Sequence, residues 1–228
     1  MVDKHGKTAL HWACVAKDVE IVRILLDHGA PIEARDIIGR TPIWEAASVP
    51  DSHEILALLI ERGAEIDSRD DGYARTPLHL AAYQGKASNV RSLLGFGADI
   101  EAKMTTGRTP LLSAIAYSQL STLEILIEGG ARGDVVDTTT GEGILHLAAR
   151  FAPPEMMRKL RDARLEGVKL DSRDFQGRTA AESFRLERPH SYFANVDDEE
   201  DANNAFNDLC LRVEDLGVES KEFCGLCS

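Results

Sequence analysis

The residue types best suited to chemistry stand at the end of the chain. Cys224-Gly225-Leu226-Cys227 has the spacing at which two thiolates can hold one zinc ion or cycle between dithiol and disulfide. Zinc would need two further ligands, and Cys210 and His190 are the nearby residues able to supply them. A thioredoxin-like redox pair would sit among strand patterns, and none surrounds this one. Prenylation is excluded by position, because Cys224 lies one residue too far from Ser228 for the required box. Three histidines, His11, His79 and His146, are a second set of potential metal ligands. Nucleophile elbows, phosphate-cradling Gly-rich loops and His-Glu-x-x-His are all missing. The carboxylates stand in turns at helix starts, which gives no support to paired acid–base chemistry. The cysteine pair reads as part of a terminal tail, with an enzyme or metal/redox protein built on it as the alternative function.

Composition narrows the classes further. The chain has 228 residues, 43% hydrophobic and 28% charged, with only 6% aromatic, so its core must be built from Leu, Ile, Val and Ala. No apolar run approaches the length of a membrane span, so membrane insertion is not expected. The first residues, Met1-Val2-Asp3-Lys4-His5, lack the apolar core of a signal peptide. Formal net charge is −12, and Glu166–Ser228 holds 15 acidic against 7 basic residues, a balance of −8. A chain without a phosphate-neutralising face is a poor nucleic-acid binder. The acidic excess reads as a solvated end. Cys14, Cys210, Cys224 and Cys227 form no disulfide framework and read as reduced thiols. A cytoplasmic location, with a nuclear one open, follows from them.

The elements that position these residues repeat. Gly-Lys-Thr-Ala-Leu-His begins at Gly6, Gly-Arg-Thr-Pro-Ile-Trp at Gly39, Arg-Thr-Pro-Leu-His at Arg75 and Gly-Arg-Thr-Pro-Leu-Leu at Gly107. Gly-Glu-Gly-Ile-Leu-His at Gly141 and a degenerate Gly-Arg-Thr-Ala-Ala-Glu at Gly177 follow. A second signal, an apolar run closing in Gly-Ala, ends at Ala30, Ala64, Ala98 and Ala131. The period is about 33 residues.

On these motifs the chain resembles the ankyrin-repeat family, in which a β-turn precedes two antiparallel helices. The resemblance implies an all-α solenoid of stacked helix-turn-helix units with turn or hairpin tips. It places repeats at 3–35, 36–69, 70–103, 104–136 and 137–173. A degenerate repeat with a helical cap takes 174–216, and 217–228 is a flexible tail. Local physics fits each unit. Thr8, Thr41, Thr76 and Thr109 can cap first helices, and Pro42, Pro77 and Pro110 suit their first positions. Ala46-Ala47, Ala81-Ala82 and Ala148-Ala149 allow close helix approach, whereas Ile21, Val22, Ile24, Leu25 and Leu26 form the greasier stripe of a second helix. Gly29, Gly63, Gly97 and Gly130 end those second helices. In the family the Thr-Pro-Leu-His histidine bonds backbone between repeats, so the resemblance makes His11, His79 and His146 structural. Trp44 and Leu112 replace it, and Trp44 is expected to pack.

Departures from the pattern carry information of their own. Asp70-Asp71-Gly72-Tyr73-Ala74-Arg75 lengthens one tip, which is expected to project, and Met104 stands where the turn Asp belongs. Gly143 replaces a capping Thr, and Pro153-Pro154 leads into a second helix. Pro189-His190-Ser191 breaks a helix begun at Thr179. After the acidic run 197–201, Phe206, Leu209, Cys210 and Val213 have helical spacing and predict a C-terminal cap over about 205–213. No comparable cap precedes the first repeat, which predicts that this chain is the C-terminal part of a longer protein or a piece cut from one.

What remains is recognition. The family grips partners with turn tips and inner helices on a concave face, and carrying those positions over gives a candidate surface. Its turn row holds Ile37, Ile38, Arg40, Tyr73, Arg75, Met104 and Arg108. Its helix row holds Val49, Tyr83, Gln84, Tyr117 and Phe151. Apolar, Tyr and Arg side chains that a fold does not require are typical of interface centres. The expected function is a monomeric, non-catalytic protein-binding module, acting as adaptor, scaffold or recognition arm without cofactor or metal.

Overall fold

A computed structural model describes residues 1–163, 165, 167–187 and 196–215. Among them are twelve helices and no strand. They are α1 Ala9–Ala16, α2 Val19–Asp27, α3 Pro42–Ser48, α4 His53–Glu61, α5 Pro77–Tyr83, α6 Ala87–Gly95, α7 Pro110–Ala116, α8 Leu120–Glu128, α9 Ile144–Phe151, α10 Pro154–Asp162, α11 Ala180–Glu187 and α12 Val196–Asp215. This is the expected all-α succession of helix-turn-helix units. It divides into two compact units, one of Met1–Ala114 with Gln119–Ala131, the other of Ile115–Ser118 with the described residues from Arg132 onward.

In the first unit, inner helices pack on inner helices (α1 on α3, α3 on α5) and outer on outer (α2 on α4, α4 on α6, α6 on α8). The helices start where capping chemistry allows. Thr8 accepts the backbone N–H of His11, while the Nδ1 of His11 accepts the N–H of Thr8 at 3.1 Å, and Thr76 with His79 repeats this reciprocal cap. Thr41 departs from the expectation. With Trp44 three residues on instead of His, it makes no capping bond, and its hydroxyl pairs with Ser68 Oγ at 2.8 Å. Prolines occupy the first positions of α3, α5 and α7, where no intrahelical N–H bond is lost. Ala46, Ala47, Ala81 and Ala82 are fully buried, so backbones approach closely along the inner row. Gly29 leaves α2 at φ +75°, a conformation that strains any side chain.

Two buried polar side chains, neither legible in the repeat motif, join successive repeats. Asn89 of α6 donates to the carbonyls of Ala47 (3.0 Å) and Val49 (2.6 Å) at the end of α3, and accepts from Ser52 N–H at 3.0 Å. Thr122 of α8 donates to Ala82 O of α5 at 3.0 Å. Both donate to carbonyls at the C-terminal end of an inner helix in the preceding repeat, where the helix supplies fewer N–H partners of its own. The stripe expected on α2 is corrected: only Val22 is fully buried there, and Ile21 and Ile24 are 47% and 53% exposed.

In the second unit, α11 packs on α9 and α12 on α10. Helix α12 is longer than the cap expected over 205–213, for it begins at Val196 and takes the acidic run into its first turns. Ala202, Ala205, Phe206, Leu209, Cys210 and Val213 form its buried face, and Phe206 stacks on Phe184 at 4.3 Å. Arg158 pairs with Asp201, and Arg161 with Asp208 at 3.3 Å. Helix α9 starts at Gly143 without a side-chain cap, and α10 takes Pro154 at its first position. The expected break at Pro189-His190-Ser191, the tail from 217 and the Cys224/Cys227 pair lie outside the described residues.

Candidate partner-binding surface

The tips of the first unit are built around buried carboxylates. Asp36 Oδ1 accepts the N–H groups of Ile38 (3.0 Å) and Arg40 (2.9 Å), while Oδ2 takes Nε (2.8 Å) and Nη2 (2.7 Å) of Arg40. Burial opposes ionisation of Asp36, but the Arg40 guanidinium and the two N–H groups outweigh it and hold the acid below its usual pKa. Asp70 and Arg75 repeat the clamp with bonds of 2.9 and 2.7 Å. The extra residue of this longer tip is absorbed at Ala74, whose φ is +54°.

The tips are also tied to one another through the main chain. Ile37 N–H donates to His5 O (3.1 Å), Asp71 N–H to Ile38 O (3.0 Å) and Thr105 N–H to Tyr73 O (2.8 Å). On this bracing stand Ile37 (68% exposed), Ile38 (43%) and Tyr73 (54%).

Arg40 and Arg75 are partly buried, each clamped to the carboxylate of its own tip. Their guanidinium groups lie 5.0 and 5.7 Å from the Trp44 ring, and that of Arg75 lies 5.4 Å from Tyr73, within cation–π reach. Trp44 is buried and its Nε1–H has no partner, so it packs, as expected of a residue replacing the bonding His. Beside it the buried Glu45, which sequence reasoning missed, makes ion pairs with Lys7 (2.9 Å) and Arg40 (3.5 Å) whose angles are not those of hydrogen bonds.

Met104, Arg108, Val49, Tyr83 and Gln84 are half-buried in the same unit, with Gln84 Nε2 donating to Tyr83 Oη at 3.3 Å. Tyr117 (57% exposed) and Phe151 (half-buried under Arg150 at 4.8 Å) belong to the second unit. That unit carries a tip residue that sequence reasoning passed over, Phe175, 72% exposed. The signal was present, since Asp174-Phe175-Gln176-Gly177-Arg178 copies Asp36-Ile37-Ile38-Gly39-Arg40.

The histidines are spoken for. Nε2 of His11, His79 and His146 donates to Arg40 O (3.0 Å), Arg108 O (3.1 Å) and Arg178 O (3.0 Å). With Nδ1 accepting from the capping Thr in the first two, the bonding pattern assigns the proton to Nε2. Burial pushes His79 down to about 4, keeping it neutral. Burial, aided by Glu45, pushes the Cys14 thiol up to about 12, which removes its nucleophilic form. Among the described residues no three His, Cys, Asp or Glu side chains are placed to share a metal ion, and no helix is long and apolar enough to cross a membrane.

A sequence-family model of ankyrin repeats, in three copies, matches residues 1–70 and 68–137. A transient receptor potential cation channel subfamily A member 1 homolog of Caenorhabditis elegans is 30% identical over 180 residues, which cover 79% of this chain and 14% of the channel. The human channel of that name is 30% identical over 149 residues, 64% of this chain and 13% of its own length. The tyrosine-protein kinase HTK16 of Hydra vulgaris is 36% identical over 119 residues, 52% and 16% of the two chains. The chain thus spans only a small part of the curated relatives it matches.

Proposed function

The chain belongs to the ankyrin-repeat family, and from that premise we propose that it binds a protein partner on the tips and inner helices of its first unit, the family's concave face. Ankyrin repeats are protein-interaction modules and not catalytic scaffolds, and here they would serve as adaptor, scaffold or recognition arm. The observation that carries the reading is the exposure of Ile37, Ile38 and Tyr73 on tips whose backbones are fully braced. Such side chains cost little further ordering when a partner arrives, so more of their burial appears as affinity. Tyr and the flanking Arg are also the residue types that dominate interface energetics. The module acts as a monomer, without cofactor, in the cytoplasm or nucleus.

The test compares wild type with Ile37→Lys/Tyr73→Ala. Both are first shown to unfold at the same urea concentration, then used for affinity capture and for calorimetric titration of whatever wild type retains. Loss of roughly 30-fold or more in affinity, about 2 kcal/mol, is expected of an interface centre. Equal retention of the same protein by both would refute this surface.

A further inference from the structure

The residue that leads into a tip of the first unit is a cation in three successive repeats: Arg35, Arg69 and Lys103 stand 34 residues apart. Their surroundings differ. Arg35 reaches forward to the next tip, where its Nη2 donates to Arg69 O and to Asp71 Oδ1, each at 2.7 Å. Arg69 makes the corresponding reach, with Nη1 donating to Lys103 O at 2.6 Å and to Ala74 O at 3.2 Å. Asp71 and Thr105 are equivalent in register, since Asp71 N–H bonds Ile38 O of the tip before it as Thr105 N–H bonds Tyr73 O. The fourth tip therefore lacks both acids of the third, with Met104 standing for Asp70 and Thr105 for Asp71. The result is an exposed guanidinium pinned by two carbonyls, with no carboxylate in ion-pair contact among the described residues. Asp67 feels its charge without pairing with it. Lys103, also exposed, makes no ion pair among the described residues either.

Charge is sorted in the same sense through the unit. Tips 35–41, 69–76 and 103–109 hold six Lys or Arg against three Asp, a balance of +3. The rest of the unit from residue 42 onward holds three Lys or Arg against ten Asp or Glu, a balance of −7. A field of this form draws acidic groups to the tips and repels them from the helices and connections behind. The apolar side chains Ile37, Ile38 and Tyr73 stand on the same tips, and the carbonyl of Tyr73 is tied to the Thr105 that neutralises nothing.

Resting on the reading of these tips as the binding surface, we propose that the partner presents an acidic polypeptide segment. One of its carboxylates takes against Arg69 the place that Asp71 takes against Arg35, and the apolar neighbours of that acid lie on Tyr73, Ile37 and Ile38. With Nη1 spent on carbonyls, Arg69 keeps Nε–H and Nη2–H, the edge through which Arg40 holds Asp36 and which fits a carboxylate. Lys103 adds a second positive charge at the entrance to the fourth tip. Nucleic acid fits this surface less well: a duplex carries one charge per about 1.7 Å and calls for a continuous cationic face, which Ile37 and Ile38 interrupt.

The experiment uses random peptides displayed on phage and selected on wild type. Retained peptides are synthesised with a fluorophore and titrated by anisotropy against wild type, Thr105→Asp, Arg69→Gln and Ile37→Ala/Tyr73→Ala, after urea midpoints show each to be folded. Thr105→Asp supplies from within the chain the carboxylate that the partner would bring, and Arg69→Gln removes the charge. Retained sequences are expected to carry a clear excess of Asp and Glu over Lys and Arg. They should bind Thr105→Asp and Arg69→Gln at least about tenfold more weakly than wild type, and lose affinity as salt rises. Sequences without that excess, or binding indifferent to Thr105→Asp and Arg69→Gln yet lost in Ile37→Ala/Tyr73→Ala, overturn the acidic partner and leave the tip surface standing. Peptides that Ile37→Ala/Tyr73→Ala binds as wild type does, or no retained peptide at all, overturn the tip surface as well. Single-stranded DNA that displaces the peptides and binds as tightly would make a polynucleotide the occupant and also overturn the proposal.

Discussion

Protonating His79 puts a charge into the inner row at a place with no route to water. Its ring is fully buried, Nδ1 faces the N–H of Thr76 at 3.3 Å, and Nε2–H is committed to Arg108 O at 3.1 Å. A proton on Nδ1 would turn the acceptor of the Thr76 N–H into a donor, with only the Thr76 hydroxyl oxygen, 2.9 Å away, to take it. Burial is the main cause of the depressed basicity, and the nearby Arg69 adds to it, so the group titrates at about 4 against an ordinary 6.5. The sign follows from proton counting. Between those two values the unfolded chain binds the proton and the folded chain does not, so stability rises with pH across that window. The contribution is fully present above about 6.5 and is lost as pH falls to about 4. At about 1.4 kcal/mol per pH unit, the gap is worth on the order of 3 kcal/mol. The paired acids Asp36 and Asp174, held below the ordinary 3.8, are present above that value and lose their contribution only as pH falls beneath it. The assay is a set of urea unfolding curves from pH 7 to pH 4 for wild type and His79→Gln, which keeps a donor and an acceptor but cannot titrate. Wild type should lose roughly 3 kcal/mol more than the variant over this range. Parallel pH profiles, or an imidazole resonance titrating near its ordinary value in the folded protein, would refute the reasoning.

Other perturbations test the remaining joints. Asn89→Leu strands Ala47 O and Ser52 N–H without their side-chain partner and leaves Val49 O with the Ser52 hydroxyl alone, and should lower stability by about 2–4 kcal/mol in denaturant unfolding. Arg75→Ala leaves the Asp70 carboxylate, 2% exposed, without its cation; a loss of about 2–4 kcal/mol is expected, with Asp70→Ala/Arg75→Ala recovering part of it. Native Cys14 should react with a thiol reagent at pH 8 about a thousandfold more slowly than in urea, because its thiolate is disfavoured in proportion to the rise from 9 to about 12. That comparison is made with Cys210, Cys224 and Cys227 replaced by Ser. A native rate equal to the unfolded rate would contradict the burial of the thiol.

The sequence made legible what each repeat decides locally. Thr8 and Thr76 could be read as caps, Pro42, Pro77 and Pro110 as first helical residues, and Trp44 as a packing residue, because each depends on neighbours within one turn of helix. Asn89 and Thr122 could not be read as joints, since their partners stand about forty residues earlier and a polar residue on an outer helix has the same spacing as a solvated one. Arg40 and Arg75 were legible as surface residues of a binding type, yet their first engagement is with Asp36 and Asp70. That pairing required knowing that the turn buries its carboxylate. Ile21 and Ile24 illustrate the converse: their spacing marks a buried stripe, but burial needs a neighbour, and periodicity carries no information about whether one is there. Tyr117 and Phe151 share repeat register with the other candidates, and register carries no information about how the chain divides into compact units.

The main-chain bonds that run from Ile37 to His5, from Asp71 to Ile38 and from Thr105 to Tyr73 ask nothing of the side chains at the tips. A mutation at Ile37 or Tyr73 therefore alters what the surface offers and leaves these main-chain bonds in place. Such a scaffold lets specificity drift under selection while foldedness stays constant. Libraries randomised at these positions should yield folded proteins at nearly the rate of the parent, and binders to unrelated targets should emerge from them without compensating changes in the core.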